Sequence, residues 1–249
     1  MRGPFFHGVG GVLSADIAVP DHERELDFYT QVLTTGSAPL WREDLMNNQG
    51  MPVIGLGART PEYEALPLQW MPHFQVSEVA ASAARAIELG GGELLHAKDD
   101  DGNSQWAVLM DPAGAAFGLI PVVTDESNGT GDLARVGCIS WLSLIAPDTA
   151  SMSEFYEQVV GWSAVSVDAE GRFEMRRADG AAVAEIRPGA DDHEESFASV
   201  WILSLPVDDF DESVRQVREA GGEVVKKATG IDHAVIRDPV GVYIALQAG

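Results

Sequence analysis

The chain carries the same sequence landmarks twice and in the same order. The pair Phe28-Tyr29 recurs as Phe155-Tyr156, and the Asp-Pro-x-Gly turn that begins at Asp111 recurs at Asp238 with the same spacing. Between these landmarks, Val76 to Leu95 matches Val207 to Val225 at a slightly larger spacing. Three matches in order, two of them at one spacing, indicate an internal duplication. The fold must therefore be one that two similar halves can build.

Each half divides again into a strand, a helix and further strands. Residues 13–21 alternate apolar and polar side chains, and an amphipathic run to Leu33 follows, which predicts a strand and then a helix. The segment MPHFQVSEV begins the same order again, and its helix should stop at Gly90-Gly91 or Gly92. The short apolar runs MPVIGLG, GELLH, QWAVLMD and AAFGLI predict further strands. We therefore predict an α+β fold of four βαβββ modules that start near Val12, Pro67, Cys138 and Phe197.

A polar, glycine-rich segment separates the two halves. Residues 123–137 read VTDESNGTGDLARVG, a composition that is typical of a linker. We therefore predict two tandem domains of two modules each, at residues 1–122 and 138–249, joined by the linker 123–137.

The charge of the chain excludes several classes of partner. Its 39 acidic and 16 basic residues give a formal net charge of −23, which repels nucleic-acid phosphates and anionic lipid surfaces. The single cysteine, Cys138, cannot form an intramolecular disulfide, and no apolar stretch is long enough to span a membrane. We expect a cytoplasmic protein that has no nucleic-acid or membrane partner.

The motifs resemble one known superfamily. The strand, the helix that contains FY, the helix that ends in ELGG and the segment DPAGAAFGLI resemble the glyoxalase, bleomycin-resistance and extradiol-dioxygenase proteins, the vicinal oxygen chelate superfamily. With ISWLSLIAPD, the arrangement resembles the two-domain actinobacterial glyoxalase-like members. The resemblance covers nearly the whole chain and implies two tandem half-barrel domains. It selects no single activity, because this fold hosts isomerases, lyases, dioxygenases and drug-binding proteins.

The resemblance also locates the positions that hold a metal ion in metal-using relatives. The first-strand ligand positions fall on Ser14, Met71, Trp141 and Ile202. The last-strand glutamate position, seven residues after the Asp of the turn, falls on Gly118 and Ala245. None of these side chains suits a divalent cation. We therefore expect no metal and no cofactor, and small residues that either leave room in a cavity or serve ordinary packing.

Strand alternation predicts which other side chains line the first cavity. If Ser14 points inward, Asp16 does too, and Met71, His73 and Gln75 share the inward face of the next first strand. A carboxylate near an imidazole can raise its basicity, so Asp16 and His73 are candidate acid-base residues. The alternative is that His73 is an ordinary hydrogen-bonded strand histidine.

The second half has a different predicted lining. Trp141, Ser143, Ile202 and Ser204 would form an aromatic, weakly polar wall that contains no obvious acid or base. Such a wall suits a planar or polycyclic ligand, although ordinary core packing explains any single Trp equally well. The complete set of predicted ligand-binding residues is Ser14, Met71, Gln75, Gly118, Trp141, Ser143, Ile202 and Ser204.

These observations favour a metal-independent protein, monomeric or homodimeric, that binds a small and largely apolar metabolite. An aromatic or polyketide-like ligand, bound for tailoring or sequestration in antibiotic biosynthesis or resistance, fits best. One alternative is a metal-dependent glyoxalase-like lyase or isomerase, or a ring-cleaving dioxygenase, with His73, Asp16 and Glu43 as unconventional ligands. A second is a duplicated scaffold whose cavities are filled by its own side chains.

Overall fold

The computed structural model describes residues 3–33, 41–42, 45–48, 51–123, 139–189 and 199–249. The first module contains β1 (Val12–Val19), α1 (His22–Leu33), β2 (Trp41–Arg42), β3 (Leu45–Asn48) and β4 (Met51–Ala58), and a short 3-10 helix (Pro61–Tyr63) follows it. The second module contains β5 (Met71–Val76), α2 (Val79–Glu88), β6 (Gly92–Lys98), β7 (Ser104–Met110) and β8 (Ala116–Pro121).

The second half of the chain repeats this element order. The third module contains β9 (Trp141–Ile145), α3 (Thr149–Val160), β10 (Ser163–Ser166), β11 (Phe173–Arg176) and β12 (Ala182–Arg187). The fourth module contains β13 (Val200–Val207), α4 (Phe210–Glu219), β14 (Glu223–Lys227), β15 (His233–Arg237) and β16 (Tyr243–Ala248).

The predicted α+β fold of four βαβββ modules is confirmed. The first module begins at Val12 as predicted, α1 ends at Leu33, and α2 ends just before Gly90, whose φ of +90° suits glycine. The predicted starts at Cys138 and Phe197, and the linker apart from Val123, lie outside the described residues.

Packing divides the chain into two compact units, and each unit combines modules from both halves. The inner-module unit contains the described residues of 1–13, 71–129 and 141–201, which are essentially the second and third modules with the N-terminal segment. The outer-module unit contains the described residues of 14–70, 130–140 and 202–249, which are essentially the first and fourth modules. The tandem domains 1–122 and 138–249 remain a prediction, and each compact unit contains one module from each of them.

Every module contributes four neighbouring strands to one of two eight-stranded sheets. The strand orders are β5-β8-β7-β6 and β10-β11-β12-β9 in the inner-module unit, and β2-β3-β4-β1 and β13-β16-β15-β14 in the outer-module unit. The first strand of each module runs parallel to the last. The helix returns the chain to the end of the sheet where the first strand began, and the three strands that follow alternate in direction, so the third of them has the direction of the first.

Helices of different modules pack together within each unit. Helix α2 packs against α3 in the inner-module unit, and α1 packs against α4 in the outer-module unit. In the inner-module unit, Phe74 lies at the centre of an aromatic core, with its ring centroid 5.0 Å from that of Trp162 and 5.5 Å from that of Trp201. None of the helices in the described part of the chain is long and apolar enough to cross a membrane.

A buried chain of hydrogen bonds joins the two modules of the inner-module unit. The Trp201 Nε1 atom donates to the Tyr156 hydroxyl over 2.9 Å, and this hydroxyl donates to Asp111 Oδ2 over 3.1 Å. The backbone amides of Ala113 and Ala115 donate to Asp111 Oδ1 at 2.9 and 2.8 Å. Burial raises the pKa of Asp111, and burial together with the Asp111 charge raises the pKa of Tyr156 well above its usual value. Tyr156 is therefore a protonated donor.

The outer-module unit contains the same arrangement. Trp70 Nε1 donates to the Tyr29 hydroxyl over 3.2 Å, and this hydroxyl donates to Asp238 Oδ2 over 2.8 Å. The repeated FY pair and the repeated Asp-Pro-x-Gly turn thus meet in space, in both units, as a Trp-Tyr-Asp chain. The turns also need their glycines, because Gly114 and Gly241 have φ values of +107° and +98°.

We predict that Tyr156→Phe destabilises the protein by about 1–3 kcal/mol, because it leaves the buried Trp201 donor and the Asp111 carboxylate without their common partner. Urea unfolding followed by tryptophan fluorescence measures this loss. Tyr63→Phe, at a half-buried tyrosine of the 3-10 helix, is the matched control and should change stability by less than about 0.5 kcal/mol. Equal stability of the two variants would contradict the proposal that the Trp-Tyr-Asp hydrogen bonds stabilise the protein.

Candidate functional site

One residue pair occupies the same register position in all four modules, where the first strand pairs with the last. These pairs are Asp16 with Gly55, His73 with Gly118, Ser143 with Glu185, and Ser204 with Ala245. Gly118 and Ala245 hold the predicted last-strand glutamate position. The register therefore assigns the same position to Gly55 in the first module and to Glu185 in the third.

In the inner-module unit these pairs lie on the strand face opposite the buried core. On β9, Leu142 and Leu144 are fully buried, whereas Ser143 between them is half-buried. On β5, Phe74 is fully buried in the aromatic core, whereas the preceding residue His73 is half-buried. Because successive side chains of a strand point to opposite faces, the second face is the one that a ligand can reach.

The His73 imidazole lies directly over Gly118. A methyl group placed on Gly118 would come within 2.4 Å of His73 Cδ2 and within 3.1 Å of Cγ and Nε2. Such distances are shorter than any normal van der Waals contact, so position 118 accommodates only a hydrogen while the imidazole keeps this place. Of our two interpretations of Gly118, room in a cavity or ordinary packing, the contact with His73 supports packing.

The third module carries a carboxylate at the corresponding position. Ser143 Oγ donates to Glu185 Oε1 over 2.8 Å, and the Glu185 side chain is 22% exposed. Our expectation that the second half offers no acid or base beside Ser143 is therefore wrong. Counting seven residues from an Asp-Pro-x-Gly turn could not locate Glu185, because the segment before β12 reads RADGA and contains no such turn.

Two arginines compensate the charge of Glu185. Arg172 Nη1 lies 3.9 Å from Glu185 Oε2, and Arg187 Nε lies 3.7 Å from Glu185 Oε1. Arg172 is fixed in turn by a hydrogen bond of 3.1 Å to Asp168. The cluster of Ser143, Glu185, Arg172 and Arg187, here called the arginine-carboxylate cluster, presents both donors and acceptors on one sheet face.

Gln75 serves the N-terminal segment. Its side chain is fully buried, its Nε2 donates to the Phe6 carbonyl over 2.8 Å, and its Oε1 accepts from the amide of Val123 over 3.0 Å. The polar atoms of this predicted ligand-binding residue are thus engaged by the chain itself. The Arg177 guanidinium, 4.4 Å above the Phe6 ring, also contacts the segment.

The remaining predicted ligand-binding residues differ in accessibility. Ser14 and Trp141 are half-buried, so part of each side chain reaches solvent. Met71, Ile202 and Ser204 are buried, and the Ser204 carbonyl accepts hydrogen bonds of 2.9 Å from the Ser140 amide and hydroxyl. Ligand contact by these three residues remains a prediction.

Asp16 and His73 belong to different compact units. Asp16 is a half-buried residue of β1 that lies opposite Gly55, and His73 is a half-buried residue of β5 that lies opposite Gly118. Their action as an acid-base pair remains a prediction from strand alternation.

Three of the six tryptophans are structural. Trp70, Trp162 and Trp201 are buried, and each donates its indole N–H to a partner within the protein: the first and third donate to tyrosine hydroxyls, and Trp162 donates to the Gly10 carbonyl over 2.9 Å. Trp106 is 41% exposed. Trp141 is half-buried on the same strand face as Ser143, and its contact with a ligand remains a prediction.

The residues at the metal positions of the superfamily do not fit a metal ion. Ser14, Met71, Trp141 and Ile202 provide no imidazole or carboxylate, and the last-strand position is glycine or alanine in three modules. Glu185, the exception, already has guanidinium counter-charges. Within the described ranges, no three His, Cys, Asp or Glu side chains gather as a metal-binding group. Glu43, proposed above as an unconventional ligand, lies outside those ranges.

Comparisons of sequence identify relatives over most of the chain. The protein CFP32 of Mycobacterium tuberculosis, named as a candidate glyoxylase, is 24% identical over 93% of this chain and 92% of its own length. The anthracycline biosynthesis protein DnrV of Streptomyces peucetius is 30% identical over 44% of this chain and 46% of its own length.

Solved structures share the fold at low sequence identity. A manganese-bound glyoxalase from Novosphingobium aromaticivorans matches 98% of this chain and 84% of its own with a TM-score of 0.57 and 15% identity. A variant of 4-hydroxymandelate synthase from Streptomyces coelicolor also gives a TM-score of 0.57, at 14% identity over 97% of this chain and 92% of its own.

Family models match both halves. Residues 13–120 match the glyoxalase-like domain, and residues 138–246 match the glyoxalase, bleomycin resistance protein and dioxygenase superfamily. Together these matches span nearly the whole chain and agree with the βαβββ modules described above. The chain therefore belongs to the glyoxalase, bleomycin resistance protein and dioxygenase superfamily, the vicinal oxygen chelate proteins.

Proposed function

We propose that this protein binds a small, largely apolar aromatic or polyketide-like metabolite without a metal ion, for tailoring or sequestration. The observation that carries the proposal is which residues occupy the last-strand glutamate position in the second and third modules and what surrounds them. In the second module it is a glycine covered by the His73 imidazole, and in the third it is a glutamate flanked by Arg172 and Arg187. Neither arrangement offers a negative, unoccupied ligand to a cation.

The same two places suit a ligand with hydroxyl and carbonyl groups on an apolar frame. The Glu185 carboxylate can accept a hydrogen bond from a phenolic hydroxyl, and the Arg187 guanidinium can donate one to a neighbouring carbonyl. Trp141 lies two residues before Ser143 on the same strand face and adds a flat apolar surface.

The relatives support this ligand class. Two matching proteins from Streptomyces are named for anthracycline biosynthesis, and anthracyclines are polycyclic aromatic polyketides. These matches cover 44% of this chain, so they suggest a type of ligand and leave the reaction open.

Acid-base chemistry in the first half is the catalytic component of the proposal. The half-buried His73 imidazole lies on the face that a ligand can reach, and an imidazole so placed can act as a general acid or base. Asp16 would hold the imidazole or the ligand in position. A cytoplasmic location and a monomeric or homodimeric state complete the proposal.

We predict that the freshly purified protein contains no stoichiometric metal and binds a hydroxyanthraquinone such as quinizarin equally well before and after treatment with EDTA. Native mass spectrometry reports bound metal, bound metabolite and subunit number together, and fluorescence quenching gives the Kd. Stoichiometric zinc, iron, nickel or manganese whose removal abolishes binding or turnover would overturn the proposal in favour of a metal-dependent lyase or dioxygenase.

We predict that His73→Ala or Asp16→Asn lowers any turnover by about 10²-fold or more while folding is retained, the loss typical of a general acid-base group. Trp141→Ala should instead weaken binding or stability, because it removes an aromatic surface. His96→Ala is a matched control, since His96 lies on β6, bonds Glu93 of the same strand and Ser104 of β7, and is not a predicted site residue. Full turnover in both the His73 and the Asp16 variants would leave binding as the sole function.

We predict that Gly118→Ala destabilises the protein by about 1–3 kcal/mol and weakens quinizarin binding, because the added methyl group must displace the His73 imidazole. In a His73→Ala background the same substitution should cost much less. Gly92→Ala is the control, because a methyl group there meets no atom within 4 Å. If the effects of Gly118→Ala and His73→Ala on the free energy of unfolding are additive, the cost of the methyl group does not come from a clash with the His73 ring.

A further inference from the structure

The two Trp-Tyr-Asp chains differ in one buried residue of the FY helix beside them. When the FY helices are aligned with Phe28 on Phe155, Glu25 of α1 corresponds to Met152 of α3. Met152 is a buried apolar residue, so the inner-module unit forms this arrangement without a carboxyl group there. Glu25 is therefore an addition that the shared architecture does not require.

Glu25 is buried in a place that provides no donor for its charge. Its side chain is fully buried, and neither carboxylate oxygen has a hydrogen-bond partner. An ionised carboxylate in such surroundings is strongly disfavoured, whereas the protonated acid is tolerated and can itself donate.

Glu25 precedes Tyr29 by one turn of α1, and the Tyr29 hydroxyl bonds the Asp238 carboxylate of the Asp-Pro-x-Gly turn, which is the charged group that acts most strongly on Glu25. Asp238 already accepts hydrogen bonds from the Tyr29 hydroxyl and from the amides of Val240 and Val242. These three donors stabilise its ionised form, so the proton of the pair resides on Glu25.

Few other charges act on the pair. Arg24 and Asp21, which precede Glu25, act in opposite directions, and the Arg24 guanidinium lies close to Gly221 after α4. Arg237, next to Asp238, is paired with Glu223. Burial, followed by the Asp238 charge, raises the pKa of Glu25 to about 8.

We infer that Glu25 and Asp238 form a buried acid pair that binds one proton at neutral pH and makes the outer-module unit sensitive to alkaline pH. The proton removes one of two adjacent negative charges where α1 meets the turn. The inference rests on the Trp-Tyr-Asp chain and is independent of the proposed ligand.

Solvent can reach this region of the turn. Asp238 lines a surface cavity of about 340 Å³ together with Gly221, Gly222, Arg237 and Pro239. Loss of the proton would place two carboxylates side by side against the Tyr29 hydroxyl. We expect α1 and the turn to loosen in response, because like charges repel strongly away from water.

The sign of the pH dependence follows from linkage. Between the ordinary glutamate value of 4.5 and about 8, the folded protein holds one proton more than the unfolded chain does. Stability from this group is therefore complete below about pH 4.5 and is lost as the pH rises to about 8, with an approximately tenfold increase in the unfolding equilibrium constant per pH unit.

Chemical denaturation from pH 5 to pH 9 tests this slope in the wild type, Glu25→Gln and Glu25→Met. We expect the ratio of wild-type to Glu25→Met unfolding constants to rise about tenfold per pH unit through most of this range. Glu23→Gln, at an exposed glutamate of the same helix turn, should keep the wild-type slope. Equal slopes in the wild type and both Glu25 variants would overturn the inference.

A measurement on the folded wild-type protein does not depend on the variants. In carboxyl ¹³C NMR of glutamate-labelled protein, one glutamate signal should titrate near pH 8. The same signal should be missing from Glu25→Gln. Titration of every glutamate below about pH 6 would show that Glu25 is ionised at neutral pH, and the proton-holding pair would be wrong.

Discussion

The buried Trp-Tyr-Asp chain is the interaction on which both compact units depend. In each unit a tyrosine from the FY helix of one module donates to the aspartate of the turn in another module, and a tryptophan N–H completes the chain. Tyr29 and Asp238 are 209 residues apart in sequence. Because every member is buried, loss of one leaves unpaired polar groups in the core.

The Trp-Tyr-Asp chain occurs in both compact units, whereas the side chains on the opposite face of the strands differ from module to module. At one register position the modules carry Asp16, His73, Ser143 and Ser204 on the first strand, opposite Gly55, Gly118, Glu185 and Ala245 on the last. In the inner-module unit, the His73 imidazole covers Gly118, and Glu185 is bonded to Ser143 and lies between two arginines. These are different chemical surfaces on the same backbone, which agrees with a superfamily that supports many activities on one fold.

The buried and half-buried carboxyl groups of this acidic protein are stabilised in three different ways. Glu185 lies between two guanidinium groups, Asp111 and Asp238 accept backbone and tyrosine donors, and Glu25 has neither type of partner. A carboxylate in a low-dielectric site needs a cation, donors or a proton. The three solutions occur within one chain, and the third distinguishes the outer-module unit from its duplicate.

The sequence alone determined the module order and the α+β fold, because strand and helix periodicity and the Asp-Pro-x-Gly turns are local signals. It also located the positions of Gly118 and Ala245 correctly on last strands. Only the tertiary structure decided which modules pack together, that the His73 ring covers Gly118, and that Glu185 joins Ser143. Those facts depend on strand register and on contacts between residues far apart in the chain, where a shift of one residue moves a side chain to the opposite face.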